Sequence, residues 1–149
     1  MQSEWLARLE PRAISILIYF LLILYLLRPN VLKGQSGRVV LLLRWCLLLN
    51  AIGELIIKFG DLLLPLSPQA SLLVGRGFTT TGFFLAYLSL SEMAGTPAPR
   101  WIRFALLCPG AAIGLGLSTL WLGSAMSPAL LAGLLEFART TMVLFEVIL

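Results

Sequence analysis

The sequence predicts an all-α integral membrane protein, a single-domain bundle of five transmembrane helices. Composition is the first reason: 59% of the 149 residues are hydrophobic and only 12% are charged, against about 25% charged residues in soluble domains. The second reason is spacing. The hydrophobic residues gather in runs of about the 20 residues that cross a bilayer, separated by short segments rich in Gly, Pro and Ser. Lipid is therefore the expected solvent for most of the surface.

Five spans are predicted. They cover about residues 11–32, 39–64, 70–91, 101–122 and 127–149. The connections are short, so neighbouring spans should run antiparallel. The first span is expected to stay in the chain, because the preceding "MQSEWLARLEPR" is charge-balanced and no small-x-small cleavage site follows the apolar run.

The stretch "GRGFTTTG" at residues 75–82 interrupts the third apolar run with an arginine, three glycines and three threonines. A phosphate-binding loop is excluded, since the stretch lacks the lysine and the preceding strand of that motif. A turn is excluded because it would leave two flanks too short to span. We therefore predict a helix, in which glycines admit a close neighbour and threonine hydroxyls bond back to the preceding turn.

The fourth span carries small residues at regular spacing. It reads "PGAAIGLGLS" from Pro109, with Gly110 and Gly114 in GxxxG spacing and Gly116 beyond. This spacing allows close helix approach, and we expect packing within the bundle rather than a homodimer face to use it. Pro109 predicts a kink, because proline lacks an N–H and its ring crowds the carbonyl four residues earlier.

Basic residues predict the orientation in the membrane. Arg28, Lys33 and Arg38 fall in the first connection and Arg100 in the third, whereas the second and fourth connections carry none. By the positive-inside rule the first and third connections are cytoplasmic. The amino terminus is then outside and the carboxyl terminus inside, in what we expect to be the inner (plasma) membrane of a bacterium.

Nine polar residues of the second, third and fifth spans form the candidate site. They are Asn50, Glu54, Lys58, Asp61, Arg76, Thr80, Glu136, Arg139 and Thr140. Those of the second span are spaced four, four and three apart, which puts them on one helical face. Charges within a bilayer are costly and usually face a bundle interior or an aqueous cavity. We expect these nine residues to face one another.

Depth in the membrane predicts ion pairs among these residues. Asp61 and Arg76 flank the same external connection, so they should lie at similar depths and pair. Arg139 is expected to pair with Glu54 or Glu136. Three acids and three bases then cancel.

Three interpretations of the cluster remain open. A neutralised network would fix the packing of the three spans, and the i, i+4 order of Glu54 and Lys58 favours an ion pair. An outward-opening cavity would bind a ligand or an ion, which the external bias of Lys58, Asp61 and Arg76 favours. A proton path through Glu54 and Glu136 has less support, because the polar stripe does not continue to the cytoplasmic side.

Several classes of chemistry are excluded by what the sequence lacks. It has no histidine, and its two cysteines, Cys46 and Cys108, lie in apolar runs without a CxxC pair. This excludes histidine-ligated haem, most zinc sites and histidine-dependent nucleophiles. No GxSxG or HExxH motif is present. We expect neither an enzyme nor a bound metal or cofactor, and no nucleic-acid partner, since the basic residues are not clustered.

The expected function is a signal-sensing transmembrane input domain. An odd number of spans sends the carboxyl end into the cytoplasm, the last run ends within a helix at "VLFEVIL", and the external cluster would receive the signal. One alternative is a small accessory or structural subunit of a larger membrane complex. A further alternative is an oligomeric transporter or channel component. The expected partners are the lipid bilayer and other membrane subunits or further copies of this chain.

Overall fold

The computed structural model describes residues 14, 16–26, 28, 34, 36–63, 65–122 and 127–148. In this part of the chain the regular structure is helical, with no strand, which confirms the all-α prediction. The helices are α1 (Ile16–Leu26), α2 (Gly37–Leu63), α3 (Pro68–Met93), α4 (Trp101–Ala105), α5 (Leu107–Leu122) and α6 (Pro128–Ile148). Residues 11–13, 15, 27 and 29–32 of the first predicted span lie outside the described residues, as does Lys33.

Serine caps begin three of these helices. Ser36, Ser67 and Ser127 each accept a hydrogen bond from the backbone N–H three residues on, at 3.2, 3.2 and 3.3 Å. Such a hydroxyl satisfies one of the N–H groups that the first helical turn leaves without a partner. Pro68 and Pro128 follow at the first helical position, where a missing N–H breaks no helical bond. The Ser-Pro pairs of the connections are therefore helix starts.

The helix predicted over 101–122 is interrupted at Leu106, which separates α4 from α5. The interruption lies three residues before Pro109. A residue with an N–H at position 109 would bond to the carbonyl of Ala105, and the proline ring instead crowds that carbonyl. The local distortion predicted from Pro109 thus takes the form of a break at the end of α4.

α3 is the central helix of the fold, since it contacts α2, α5 and α6. Residues of α3 lie in all three apolar clusters of the described structure. Ile56 of α2, Leu135 of α6 and Ile102 of α4 each pack into one of these clusters. A movement of α3 would therefore change its contacts with α2, α5 and α6.

The burial pattern of α2 and α3 differs from that of a typical soluble helix, although Leu73, Val74 and Phe84 of α3 are also buried. The buried positions of α3 include many small and polar residues: Ser71, Gly75, Gly77, Thr79, Thr80, Gly82 and Ser89. Large apolar side chains of α2 are exposed instead: Leu41, Trp45, Leu48 and Leu55. In water a helix buries its apolar face, whereas small and polar residues at helix contacts are typical of a bilayer.

One helix among the described residues has the length and hydropathy to cross a membrane, Gly37–Gly60 within α2. α3 has 26 residues but carries Arg76 and a run of threonines. α5 is apolar but has only 16 residues. A location in a membrane is therefore supported by one candidate span.

Candidate polar site and helix-packing seam

α2 presents a polar stripe at the predicted positions. Asn50 is buried, and its Nδ2 donates to the backbone oxygen of Cys46 at 2.9 Å. One turn further on, Lys58 Nζ lies 3.1 Å from Glu54 Oε2. The two side chains are 20% and 27% exposed, so this pair is neither fully solvated nor sealed inside the protein. Its i, i+4 order is the one that the sequence indicates.

Two further predicted residues lie on α3, which packs along α2. Thr80 is fully buried, and Arg76 is partly buried. The predicted partner of Arg76 is Asp61 at the end of α2, whose side chain lies outside the described residues. The Asp61–Arg76 ion pair therefore stays a prediction.

The stretch "GRGFTTTG" is helical throughout, as predicted, and lies within α3. Thr79 Oγ1 donates to the backbone oxygen of Arg76 at 3.0 Å, and Thr81 Oγ1 donates to that of Gly77 at 2.8 Å. These bonds satisfy the two hydroxyls within their own helix. Thr79 and Thr81 therefore need no polar partner on another helix.

A seam of small residues holds α2 against α3. The α2–α3 seam comprises Gly53 and Gly60 of α2 and Ser71, Gly75 and Gly82 of α3. A Cβ added to Gly53 would lie 2.6 Å from the oxygen of Gly75, and one added to Gly75 would lie 2.7 Å from the oxygen of Gly53. The two backbones are therefore so close that no side-chain atom fits between them. This contact fixes the polar stripe of α2 relative to α3.

α1 borders the polar stripe of α2. Arg44 donates from Nε and Nη2 to the backbone oxygen of Leu26, at 3.2 and 3.0 Å. A cation at this place satisfies a carbonyl of the last helical turn and interacts favourably with the helix dipole. Tyr19 of α1 lies within electrostatic range of Glu54. The first helix thus lies near the Glu54–Lys58 pair.

The structure does not bring the fifth-span residues into this cluster. Glu136 and Arg139 pair with each other within α6, and their side chains are 58% and 45% exposed. Thr140 is also exposed and donates to the backbone oxygen of Glu136 at 2.9 Å. The expectation that these three residues face the bundle interior is corrected, because apolar residues around Leu135 form the inward side of α6.

The glycines of α5 divide into two groups. Among the described residues, a Cβ added to Gly110 or Gly114 would meet nothing within 4 Å, whereas one added to Gly116 would collide with Val74 Cγ2 of α3. The expectation that the GxxxG pair packs within the bundle is therefore corrected. Gly116 provides the close contact, and the face of Gly110 and Gly114 is open.

An apolar groove of about 270 Å³ lies between α5 and α6. Cys108, Ala111 and Leu115 line it from α5, and Phe137 and Thr141 line it from α6. The Thr141 hydroxyl already donates to the backbone oxygen of Phe137 at 2.9 Å. The described lining offers apolar surface but no charged group, so a charged ligand would find no ionic partner in it.

Two features of α2 and α3 escaped prediction from the sequence. Arg38 Nε lies 3.3 Å from Glu92 Oε2, which ties the start of α2 to the end of α3. These residues are too far apart in the sequence for any spacing rule to pair them. The packing role of Gly53 and Gly60 was also missed, although Cys46, Gly53 and Gly60 recur every seven residues. That heptad spacing of small residues is the signal that indicates a helix-packing seam.

The comparisons with known proteins add no relative. No protein-family model, curated protein sequence or solved structure matches the chain. Among the described residues there is no group of three or more His, Cys, Asp or Glu side chains able to hold a metal ion. Function therefore has to be inferred from the geometry of the helices.

Proposed function

We propose that the chain is a five-span integral membrane protein that senses a small charged ligand or ion at its α2–α3 polar cluster. The cluster comprises Asn50, Glu54, Lys58, Arg76 and Thr80. The observation that carries the proposal is the half-buried Glu54–Lys58 pair within the helix that has the length and hydropathy to cross a membrane. Ionisable groups kept at such positions usually line a binding site or an ion path.

The five-span arrangement has two supports. α2, α3 and α6 contain 27, 26 and 21 residues, which at about 1.5 Å per residue exceeds or matches a hydrocarbon core about 30 Å thick. The second support is the amount of large apolar surface left exposed, including Phe20, Leu21 and Leu24 of α1. Soluble proteins rarely expose large apolar patches, so this many exposed large apolar side chains favours a lipid environment.

Single cysteines test this topology, in a chain whose own Cys46 and Cys108 are replaced by alanine. Gln69, in the first turn of α3, and Thr96, in the connection after α3, are both exposed. With the amino terminus outside, Gln69→Cys is labelled by a membrane-impermeant maleimide in intact cells, and Thr96→Cys is labelled only after permeabilisation. The reverse result contradicts the orientation, and labelling of both in intact cells contradicts the span between them.

A route for the signal follows from the central position of α3. The cluster contains Arg76 and Thr80 of α3, and α3 contacts both α2 and α6. A ligand that binds one arrangement of α2 and α3 more tightly shifts the population toward it. Through the shared contacts that shift reaches α6, the last described helix, as a small rotation or translation.

Ligand-dependent melting tests the sensing site. The protein in nanodiscs is titrated with sodium, potassium and calcium chlorides and with small carboxylates and amines, and Tm is recorded. A species that binds only the folded state raises Tm in a concentration-dependent way. The shift should disappear in the double variant Glu54→Gln with Lys58→Met. It should persist in the matched control Arg38→Gln with Glu92→Gln, which removes an ion pair of the same two helices outside the cluster. Loss of the shift in both double variants, or in neither, contradicts a site at the cluster.

A specific observation also favours the alternative of an accessory subunit in a larger membrane complex. Gly110 and Gly114 stand in GxxxG spacing on an open face of α5, and such faces admit a neighbouring helix. A partner bound there would copurify at fixed stoichiometry in mild detergent. Replacement of Gly114 by leucine should then remove the partner and leave the fold intact, as judged by an unchanged Tm in detergent. Copurification that survives this replacement counts against a partner at this face.

A further inference from the structure

The outer face of α6 carries a continuous exposed stripe. The α6 seam comprises Ala129, Gly133, Glu136, Thr140, Val143 and Val147, and all six residues are exposed. Their spacing is four, three, four, three and four, the spacing of positions a and d in a coiled coil. A Cβ added to Gly133 would meet nothing within 4 Å. The described part of this chain therefore leaves the stripe uncovered over almost the whole helix.

The chemistry of the α6 seam changes along the helix in a way that suits a helix partner. Small residues occupy the first two positions, where they permit close approach. Polar residues occupy the middle two, and valines occupy the last two. A polar residue at one core position of a coiled coil sets its register and the number of strands. Glu136 and Thr140 stand at such positions, and Arg139 flanks them.

An ion pair on a lipid-facing surface is costly, which indicates that something covers it. Glu136 lies about 12 Å from the start of α6 at 1.5 Å per residue, too deep for a short carboxylate side chain to reach the headgroups. Its bond to Arg139 neutralises the pair, yet both side chains remain about half exposed. Charged side chains within a bilayer almost always face protein or a water-filled cavity.

We infer that the α6 seam binds a second copy of this chain in a parallel two-fold dimer. A second copy has the same orientation in the membrane, so each seam residue meets its equivalent at the same depth. Two-fold rotation brings the two Glu136 carboxylates together, and the two Arg139 side chains, three residues further on, compensate their repulsion by bonding across the contact. Each Glu136 then has two arginines within reach, its own Arg139 and the one of the other copy. This inference rests on the proposed passage of α6 through the membrane and not on the sensing function.

Disulfide crosslinking tests the two-fold contact, with Cys46 and Cys108 replaced by alanine. Val143→Cys lies on the α6 seam, and Phe137→Cys is the matched control, since Phe137 is 74% exposed on the same helix but off the seam. In dilute proteoliposomes with a mild oxidant, Val143→Cys should form a covalent dimer and Phe137→Cys should not. Equal crosslinking of both, crosslinking of Phe137→Cys alone, or no dimer with either contradicts the proposal.

A charge swap distinguishes a second copy from another occupant. Glu136→Arg gives a seam with two bases, and Arg139→Glu gives one with two acids. Each variant alone should lose most of the dimer, and coexpression of the two should restore it as a mixed dimer. Single-molecule photobleaching of tagged copies counts the chains. Monomeric single variants that stay monomeric when mixed overturn the proposal, as does a crosslink of Val143→Cys to another protein or to another part of the same chain.

Discussion

The α2–α3 half and the α5–α6 half of the molecule use the same small residues in opposite ways. In the α2–α3 seam, atoms of the other helix occupy the space beside each glycine. A Cβ added to Gly60, for example, would lie 2.7 Å from Ser71. In the α5–α6 half, a Cβ added to Gly110, Gly114 or Gly133 meets no described residue within 4 Å. The glycines of the first half are therefore packed in a contact between two helices, whereas these glycines of the second half lie on faces that no described residue covers.

The ion pairs of the two halves differ in the same direction. Glu54 and Lys58 are about three-quarters covered. Glu136 and Arg139 are about half exposed. An acid followed by a base three or four residues later thus gives a largely covered pair in one half and a half-exposed pair in the other. The difference teaches that the spacing of polar residues defines a stripe, whereas the neighbouring helices decide whether it is covered.

The largest effect is expected from adding a side chain within the closely packed α2–α3 seam. Gly75→Val places a side chain against Ile57 and against the backbone oxygen of Gly53, which cannot move without displacing α2. Overpacking typically costs about 1–3 kcal/mol, and because backbone must shift here we expect a loss at the upper end of that range. The matched control is Gly114→Val, which meets open space. Unfolding in mixed micelles should show a large loss for the first and little change for the second. Equal losses would mean that the halves do not differ.

A double-mutant cycle tests whether Gly82 of the α2–α3 seam and Asn50 of the polar stripe are energetically coupled. A Cβ at Gly82 would collide with Nδ2 of the buried Asn50. Gly82→Ala alone should therefore destabilise the fold, and Asn50→Ala alone should remove the hydrogen bond to Cys46. In the double variant the clash is relieved, so we expect a coupling of about 1–2 kcal/mol. Strict additivity would show that the two positions do not touch.

The helices themselves could be predicted from the sequence because local signals define them. Apolar runs, the Ser-Pro starts at Ser67 and Ser127 and the breakers between them are properties of neighbouring residues. The i, i+4 pair of Glu54 and Lys58 is local in the same sense. The all-α class therefore followed from short-range chemistry.

The direction of each face could not be predicted, because it depends on which helix packs where. The stripe of Glu136, Arg139 and Thr140 satisfies the same periodicity whether it points inward or outward. The open GxxxG pair and the packed Gly116 are likewise indistinguishable by residue type. Tertiary contact, which joins positions distant in sequence, makes the difference. For the same reason the Arg38–Glu92 bridge had no local signal.

α5 contains both kinds of glycine within one helix, the packed Gly116 and the open Gly110. Gly116→Ala would bring a methyl group against Val74 Cγ2, with the oxygen of Ala70 at 3.3 Å. Since the nearest atom belongs to a side chain that can adjust, we expect a loss of about 1 kcal/mol, at the low end of overpacking effects. Gly110→Ala meets no neighbour and should be neutral or slightly stabilising, because alanine favours the helix over glycine. Thermal unfolding in the same detergent measures both, and a loss at Gly110 would show that this face is already covered.

The smallest effect is expected for the Arg38–Glu92 ion pair, at the exposed edge of the α2–α3 half. Arg38 Nε lies 3.3 Å from Glu92 Oε2, and the Arg38 side chain is 77% exposed. Ser36 Oγ also donates to Glu92, at 3.3 Å, so the carboxylate keeps one partner when the arginine is removed. Exposed ion pairs contribute about 0.2–1 kcal/mol and weaken as salt screens them. Arg38→Gln should therefore lower the free energy of unfolding by less than about 1 kcal/mol in low salt, and the loss should vanish in high salt. A loss that persists in high salt would place this pair within the packed seam and not at its rim.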